Sequence, residues 1–322
     1  MTGNESFSGI INVNKPVGLT SFQVVGKIRK LLGVKKVGHC GTLDPFASGV
    51  LPVCVGKATR VVRYMDGYDK TYRCTAHFGA STDTQDREGK VIGGRMPAKD
   101  ELEKMKANDF ADLRKLFSDL DGDKEQMPPM YSAIKMAGRP LYEYARQGIT
   151  LERQTRQIRI YNCKVHQIAA DEMLTADFSL SCSKGTYIRT ICDELGNDTG
   201  FGAYANALKR TKCGPFLIDS AFSLEDIARL FADGRVAEFL LPEDIAVAHM
   251  QRFEVTEEEA SHIRLGQQMP LEIFEDRMIP LATDEMNTKP HYCAYYLGQL
   301  LAIVLPDEKE GRKILRIERM LA

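Results

Sequence analysis

Apolar residues recur along this chain at spacings that predict strands in several places. Residues 9–13 (GIINV) and 50–55 (VLPVCV) are short continuous apolar runs, which are typical of strands buried in a core. Residues 70–79 place Tyr, Cys and Ala on one face, and residues 174–183 alternate cleanly between apolar and polar types. This two-residue period indicates half-buried strands. We expect the last of them to pair with a strand at residues 157–168.

A spacing of three and four residues predicts helices elsewhere. Residues 21–32 carry an apolar stripe behind Thr20 or Ser21, either of which can cap the start of a helix. Three further helices are predicted at residues 97–120, at residues 187–195 with Thr186 as the cap, and at residues 204–209. A basic loop at residues 210–215 follows the last of these.

The pattern changes near residue 251. From there the chain shows short strands around one short helix at residues 257–265. A segment of about 70 residues is enough to fold alone, although only marginally. We therefore predict two domains, at residues 1–250 and 251–322.

Composition narrows the class of protein. The chain has 322 residues, of which 43% are hydrophobic and 27% charged, as in ordinary globular proteins. No apolar run approaches the roughly 20 residues that span a bilayer, and the N-terminus has no secretory pattern. The eight cysteines include no Cys-x-x-Cys pair, which argues against a zinc site or a disulfide framework. We expect a cytoplasmic protein with reduced thiols.

Charge is unevenly distributed although the net charge is only −1. Residues 1–43 hold six basic residues and one acidic residue, Glu5, whereas residues 216–260 hold eleven acidic residues and three basic ones. A chain with this asymmetry can present a basic face to phosphates. The alternative is an ordinary solvated helix face.

One carboxylate has an unusual setting. Asp44 lies between a flexible glycine, Gly41, and Pro45, and the apolar run at residues 50–55 follows shortly after. A residue before proline favours extended geometry, so Asp44 is expected in a loop beside a core strand. Such an acid can be a catalytic group, or it can simply cap a turn. The spacing leaves both interpretations open.

Six separated segments, in order, resemble the TruB-type tRNA pseudouridine synthases. They are INVNKPVGLTS (11–21), GHCGTLDPFASGVLPVCVGKATR (38–60), DKTYRCTAHFGASTDTQDREG (69–89), PPMYSAIKMAGRPLYEYARQGI (128–149), SKGTYIRTICDELG (183–196) and ALKRTKCGPF (207–216). The resemblance covers about residues 9–220. The C-terminal segment resembles, more weakly, the PUA-like RNA-binding domain of bacterial members.

The resemblance implies roles for residues that the patterns alone leave ordinary. Asp44 matches the catalytic aspartate, and Tyr72 matches a tyrosine that stacks on the flipped uracil. Tyr187 and Arg189 match residues near the base and the aspartate, and Leu208 matches an apolar residue that lines the uracil site. An arginine beside Asp44 is expected to keep it ionised and lower its pKa. Without the resemblance, Tyr72 would be interpreted as a core aromatic residue, Arg189 as an exposed charge on a helix, and Leu208 as part of a helix core.

The resemblance also assigns RNA contacts outside the immediate site. His39 matches a histidine that contacts displaced nucleotides, although a lone loop histidine is often merely exposed. Four basic residues are candidates for backbone phosphates, which position RNA without reading its sequence: Arg146, Lys209, Arg210 and Lys212. Lys15 and Pro16 match a motif that packs against the catalytic loop.

Two positions depart from the family pattern. Cys40 stands where threonine is common, and Thr71 stands where a basic residue is common. A thiol nucleophile at Cys40 has no evident base to activate it, so we do not assign it one.

Together these implications give an α/β (α+β) pseudouridine synthase fold, with a mixed, mostly antiparallel sheet flanked by helices and a small PUA-like β domain. The expected reaction converts the T-loop uridine at position 55 of tRNA to pseudouridine. It needs no cofactor because no redox change occurs and no external group is transferred. The expected partner is the T-arm stem-loop of tRNA, bound by a monomer without a metal or a membrane, and the protein could also assist tRNA folding. The competing hypotheses are a non-catalytic RNA chaperone and a metal-dependent hydrolase using Asp44 and His39.

Overall fold

The computed structural model describes residues 7–278 and 290–321. In chain order its strands are β1 Gly9–Lys15, β2 Val37–His39, β3 Ser48–Val55, β4 Lys70–Phe78, β5 Ser81–Thr82, β6 Val91–Gly93, β7 Gly122–Gln126, β8 Lys135–Met136, β9 Arg139–Pro140, β10 Arg156–Ala170, β11 Leu174–Cys182, β12 Ala203–Cys213, β13 Phe216–Leu217, β14 Gln251–Glu254, β15 Met269–Pro270, β16 Tyr292–Tyr296, β17 Gln299–Lys309 and β18 Arg312–Met320. Its α-helices are α1 Ser21–Leu32, α2 Val62–Met65, α3 Lys99–Ala107, α4 Ala111–Ser118, α5 Leu141–Ala145, α6 Ile188–Thr199, α7 Leu224–Ala232 and α8 Glu257–Arg264. Within the described residues, no helix is long and apolar enough to span a bilayer.

A nine-stranded sheet organises the larger part of the chain. Its strands lie in the order β1-β3-β12-β4-β11-β10-β7, with β2 added on β3 and β13 on β12. Neighbouring strands are antiparallel except β3 and β12, which run parallel. The predicted mixed, mostly antiparallel sheet is confirmed, as is the pairing of β10 with β11.

Strand β3 is apolar throughout because both of its faces are buried. Leu51, Val53 and Val55 join the core that helices α1, α4, α6 and α7 cover. Val50 and Cys54 point to the opposite face, into a second apolar cluster. A strand covered on both sides reads as a continuous apolar run rather than as an alternating one.

The C-terminal segment forms its own five-stranded sheet in the order β14-β16-β17-β18-β15, with α8 packed beside it. The predicted strands and short helix are confirmed. Residues 279–289 and 322 of the predicted second domain lie outside the described residues. The two sheets share an apolar cluster, in which Tyr295, Leu300 and Ile303 join Ile10 and Cys54.

Two predicted helices are wrong as stated. Residues 97–120 form two helices, α3 and α4, because the chain turns between them through Asp109 and Phe110 with left-handed φ values of 52° and 55°. Residues 204–209 belong to strand β12. Two irregularities in its pairing with β4 break the two-residue period, so its buried positions are spaced in part as in a helix.

Candidate active site

The loop between β2 and β3 presents Asp44 at the start of a turn. The amide of Ala47 donates to the carbonyl oxygen of Asp44 (3.1 Å), and Pro45 takes the second position, which suits its fixed φ. The backbone of Asp44 therefore does begin a turn. Its carboxylate is engaged elsewhere, with the guanidinium of Arg189.

The N-terminal segment holds this loop in place. Ser21 Oγ accepts from the amide of Leu43 (2.9 Å) and donates back to its carbonyl (3.2 Å). The amide of Gly18 donates to the carbonyl of Pro45 (2.8 Å). Lys15 is fully buried, and its ammonium donates to the carbonyl oxygens of Pro16, Leu19 and Pro45. Burial lowers the pKa of Lys15 to about 8, and the charge of Asp44 partly opposes this. The expected packing of this segment against the loop is present.

Arg210 clamps the other side of the loop. It is buried, and its guanidinium donates to the carbonyl oxygens of Gly41 (2.9 Å) and Val50 (2.7 Å). The backbone of Arg210 passes so close to Gly49 (φ +103°) that a Cβ there would lie 2.1 Å from the carbonyl oxygen of Arg210. The prediction that Arg210 lies in a loop and contacts phosphates is wrong, because strand β12 turns this side chain inward. Lys209 and Lys212 do remain exposed.

Arg189 connects Asp44 to two other segments. Its Nε lies 2.9 Å from Asp44 Oδ2, and its side chain is only 3% exposed. Its terminal nitrogens donate to the carbonyl oxygens of Thr84 and Tyr131, each at 2.7 Å, and Nη1 lies 3.5 Å from Asp86 Oδ2. A planar guanidinium with this many partners has one orientation available. Asp44 is thus held by a rigid cation.

The start of helix α6 sets the position of Arg189. Tyr187, and not the predicted Thr186, is the residue that precedes the helix. Buried Gln126 accepts from the amide of Tyr187 (2.8 Å) and donates to its carbonyl (3.1 Å). The hydroxyl of Thr186 donates instead to the carbonyl of Ser183. The start of the helix is thus stabilised by the side chain of Gln126, which is 61 residues away in the sequence, and not by a neighbouring cap residue.

The loop after β5 supplies the second carboxylate. Asp86 Oδ1 accepts from the hydroxyl of Thr84 (2.7 Å) and the amide of Glu88 (3.0 Å). Gln85 ties this loop to α6, since it accepts from Thr190 Oγ1 (2.9 Å) and donates to Asp193 (3.0 Å). Gln85 adopts a left-handed φ of 62°, which is strained for any residue with a side chain. These contacts position Asp86 and the Thr84 carbonyl against Arg189.

Five of the six predicted site residues line one cavity of 510 Å³: Asp44, Tyr72, Tyr187, Arg189 and Leu208. The sixth, His39, lies on β2 and is not among the lining residues. Burial lowers the pKa of His39, and the charge of Arg210 lowers it further.

The cavity is lined by more basic than acidic side chains. The acids are Asp44 and Asp66, and the basic residues are Lys70, Lys135, Arg156, Lys184, Arg189 and Arg210. This excess of positive charge suits an anionic ligand.

Burial raises the pKa of Asp44 above its ordinary value. Arg189 lowers it, as expected, but burial and the nearby charge of Asp86 act in the other direction. The expectation that Asp44 has a depressed pKa is therefore wrong in its net sign. Burial also raises the pKa of Tyr72 to about 12, so its phenol keeps its proton at neutral pH.

Cys40 faces away from the cavity. Its Sγ donates to the carbonyl of Met65 (3.2 Å) inside the cluster that the two sheets share. The neighbouring thiol of Cys213 and burial both raise the pKa of Cys40. A thiol in this state is a poor nucleophile.

The chain matches models of a known protein family. The family model described as TruB family pseudouridylate synthase (N terminal domain) matches residues 29–188, and that of the tRNA pseudouridylate synthase B C-terminal domain matches residues 189–248. The chain belongs to the TruB family of pseudouridylate synthases. The resemblance drawn from the six sequence segments is confirmed, and with it the assignment to an isomerase family.

Relatives in this family align over most of the chain. A protein of Geobacillus kaustophilus named tRNA pseudouridine synthase B is 40% identical over 84% of this chain and 93% of its own length. Proteins of the same name from Bacillus subtilis (40%, covering 80% of this chain and 82% of the relative) and Geotalea uraniireducens (37%, covering 97% of each) are also similar. The last alignment includes the C-terminal sheet.

Solved structures share the fold. A Cbf5-Nop10-Gar1 complex contains a chain that matches with a TM-score of 0.69 at 24% identity, covering 98% of this chain and 85% of that one. An H/ACA RNP bound to a substrate RNA containing 2′-deoxyuridine gives 0.69 at 21% identity, covering all of this chain and 92% of that one. At this identity the likeness establishes a shared fold alone.

Three positioning residues escaped the sequence reasoning. Asp86, Gln85 and Gln126 lie in polar segments that carry no periodic signal. The only available hint for Asp86 was its place inside a family-like segment, STDTQDREG, whose residues were assigned no role. Their importance comes from contacts with α6 that are distant in sequence.

Proposed function

We propose that this chain is a tRNA pseudouridine synthase that isomerises the T-loop uridine at position 55, with Asp44 as the catalytic carboxylate. The observation that carries the proposal is the Asp44–Arg189 pair at 2.9 Å, on a cavity that Tyr72, Tyr187 and Leu208 also line. The names of relatives about 40% identical support tRNA as the substrate.

The reaction breaks the bond between uracil N1 and ribose C1′, turns the base, and forms a bond from C5 to C1′. The proton on C5 leaves and N1 gains a proton, so the product is an isomer. A carboxylate can serve this chemistry by adding covalently to the ribose or to the base. Because the reacting atoms are inaccessible in a stacked strand, the uridine must be extruded into a pocket.

The other residues of the cavity bind the uracil and orient Asp44. Tyr72 and Leu208 give the uracil an apolar surface, and the Tyr72 phenol stays protonated because its pKa is about 12. Arg189 keeps the Asp44 carboxylate pointed at the base while stabilising its charge. Fixing the nucleophile in this way removes a reorientation step from the reaction.

Exposed basic side chains and the C-terminal five-stranded sheet would bind the rest of the T-arm. Arg146, Lys209 and Lys212 are exposed and available to backbone phosphates. We assign residues 1–250 to the catalytic domain and residues 251–322 to a PUA-like RNA-binding domain. We assign the protein to the cytoplasm, where its eight cysteines would stay reduced.

A metal-dependent hydrolase finds little support in the site. Among the described residues, no group of three or more His, Cys, Asp or Glu side chains is placed to hold a metal ion. Asp44 and Asp86 are both committed to Arg189, and His39 does not line the cavity.

Tritium release from tRNA that carries tritium on uridine C5 tests the proposal. The wild type should release tritium, and Asp44→Asn should release none while binding the tRNA with similar affinity. An RNA chaperone without catalysis predicts no release from either protein. Release by Asp44→Asn at the wild-type rate would show that the nucleophile is assigned wrongly.

A further inference from the structure

Four neighbouring strands of the nine-stranded sheet, β10, β11, β4 and β12, leave one of their faces open to solvent. Buried residues alternate with exposed or half-buried ones in β4 and in β11, and the buried ones join the core that the helices cover. Tyr72 and Leu208 point to that covered side, where they line the active-site cavity. We call the opposite surface the outer face; it comprises Thr71, Arg73 and Thr75 of β4 and the residues that lie beside them on the neighbouring strands. The outer face and the cavity are thus on opposite sides of the same strands.

One row of residues across the outer face carries three cations. The strand register places Lys164 of β10 opposite Ser179 of β11, and Ser179 opposite Arg73 of β4. Arg73 in turn lies opposite Lys209 of β12. Neighbouring strands are about 4.8 Å apart, so the row spans about 14 Å. A row of this length can contact more than one phosphate of a nucleic-acid strand.

The four strands contain little negative charge to balance this row. Their sequences include a single acid, Asp177. Asp177 accepts hydrogen bonds from Arg73 Nε (3.1 Å) and Nη2 (2.7 Å), so none of these strands has an acid left for Lys164 or Lys209. Like charges directly opposite each other, as on Arg73 and Lys209, destabilise a pair of strands. An anion bound beside them would relieve this repulsion.

The outer face meets the active-site cavity at one end of the strands. Lys70 begins β4 and Lys184 follows the end of β11, and both residues line the cavity. At the same end of β12, Lys212 lies opposite Thr71 and is exposed. Basic side chains therefore lead from the cavity around the strand ends to the row of three cations. This continuity favours RNA over an acidic protein as the occupant of the outer face.

We propose that the outer face binds the phosphate backbone of the RNA stem that continues from the loop whose uridine occupies the cavity. The phosphates lie along the row formed by Lys164, Arg73 and Lys209. Contacts of this kind position an RNA without reading its sequence. The inference rests on the proposed function, because it needs the target uridine of the same RNA in the cavity.

Two variants and a matched control test the outer face in the full-length protein. Lys164→Gln removes one charge from the row, and Lys164→Glu reverses that charge at an exposed position. Lys106→Glu is the control, since Lys106 is an exposed lysine of α3, which packs on the covered side of the sheet. The probes are full-length tRNA and a T-arm stem-loop whose stem is shortened to a few base pairs. Dissociation constants are measured at several salt concentrations, and pseudouridine formation is measured separately.

With full-length tRNA, Lys164→Gln should reduce the slope of the logarithm of the binding constant against the logarithm of salt concentration by about one. Lys164→Glu should weaken binding about tenfold at low salt. Both variants should bind the shortened stem-loop as the wild type does, and Lys106→Glu should match the wild type with both RNAs.

An unchanged salt slope and affinity for tRNA in both Lys164 variants would overturn the proposal and leave an acidic protein as the partner of this surface. Equal losses with the shortened stem-loop, or in Lys106→Glu, would overturn it as well. A reduced slope in Lys164→Gln, together with a wild type that forms no pseudouridine, would support the outer face and overturn the proposed function instead.

Discussion

The guanidinium of Arg189 lies between two carboxylates, with Nε 2.9 Å from Asp44 and Nη1 3.5 Å from Asp86. Arg189 and Asp86 are buried, whereas the side chain of Asp44 keeps 34% of its surface exposed. One cation therefore serves two anions, and only one of these anions faces the cavity. The partial burial of Asp44 and, after it, the charge of Asp86 raise the pKa of Asp44 although an arginine touches it.

The raised pKa of Asp44 predicts a pH dependence with a definite sign. If the ionised carboxylate is the reactive form, the single-turnover rate should fall as pH drops through a pKa above that of an ordinary aspartate. Because protonation of Asp44 is favoured in the folded state, wild-type stability should gain relative to Asp44→Asn as pH falls through that same range. Single-turnover rates and urea unfolding of both proteins across this range would measure the two effects. The fall of the rate at low pH is the acid limb of the profile. An acid limb at or below the ordinary aspartate pKa would contradict a raised pKa for Asp44.

Asp86→Asn should shift the pH dependence of the reaction and lower stability. It removes a charge that raises the pKa of Asp44, so the acid limb should move to lower pH. It also weakens a buried ion pair, which we expect to reduce the free energy of unfolding by about 1–3 kcal/mol. Glu88→Gln is a matched control, because Glu88 is an exposed acid on the same loop. An unchanged acid limb in Asp86→Asn would argue against electrostatic coupling between the carboxylates.

Gln85 offers a comparison between backbone strain and side-chain contacts. Both Gln85→Gly and Gln85→Ala lose the hydrogen bonds to Thr190 and Asp193. Only glycine accepts the φ of 62° without strain, so Gln85→Gly should be more stable than Gln85→Ala by about 1 kcal/mol. Urea unfolding measures this difference. Equal stabilities would mean that the loop relaxes to another conformation.

Local patterns predicted the elements that local forces determine. The alternation in β11 and the buried run in β3 were sufficient because each strand keeps its period or is covered on both faces. The same reasoning failed at β12, where irregular pairing disturbs the period, and at Arg210, whose inward direction depends on that strand. The contact between Arg189 and Asp86 joins residues 103 positions apart, so no local pattern contains it. The family resemblance assigned roles to Asp44 and Arg189, but it did not include the contacts that hold these two side chains in place.

The apolar cluster shared by the two sheets predicts that they are mechanically coupled. Leu300 belongs to that cluster, whereas its neighbour Leu301 belongs to the core of the C-terminal sheet alone. Each leucine replaced by alanine should reduce stability by about 2–4 kcal/mol. Only Leu300→Ala should markedly lower the temperature at which the catalytic part unfolds, as followed by loss of activity on heating. Equal effects of the two variants on that temperature would indicate that the shared cluster does not couple the sheets.

The most direct test of the catalytic assignment is to map pseudouridines in a T-arm stem-loop RNA after incubation with the purified protein. Asp66→Asn is the control for Asp44→Asn, since Asp66 is a second carboxylate that lines the same cavity. We predict one pseudouridine, at the T-loop target, with the wild type and with Asp66→Asn. With Asp44→Asn we predict none, a loss of at least about a thousandfold in rate, while the RNA remains bound. Pseudouridine formed by Asp44→Asn at a rate near that of the wild type would contradict the central claim.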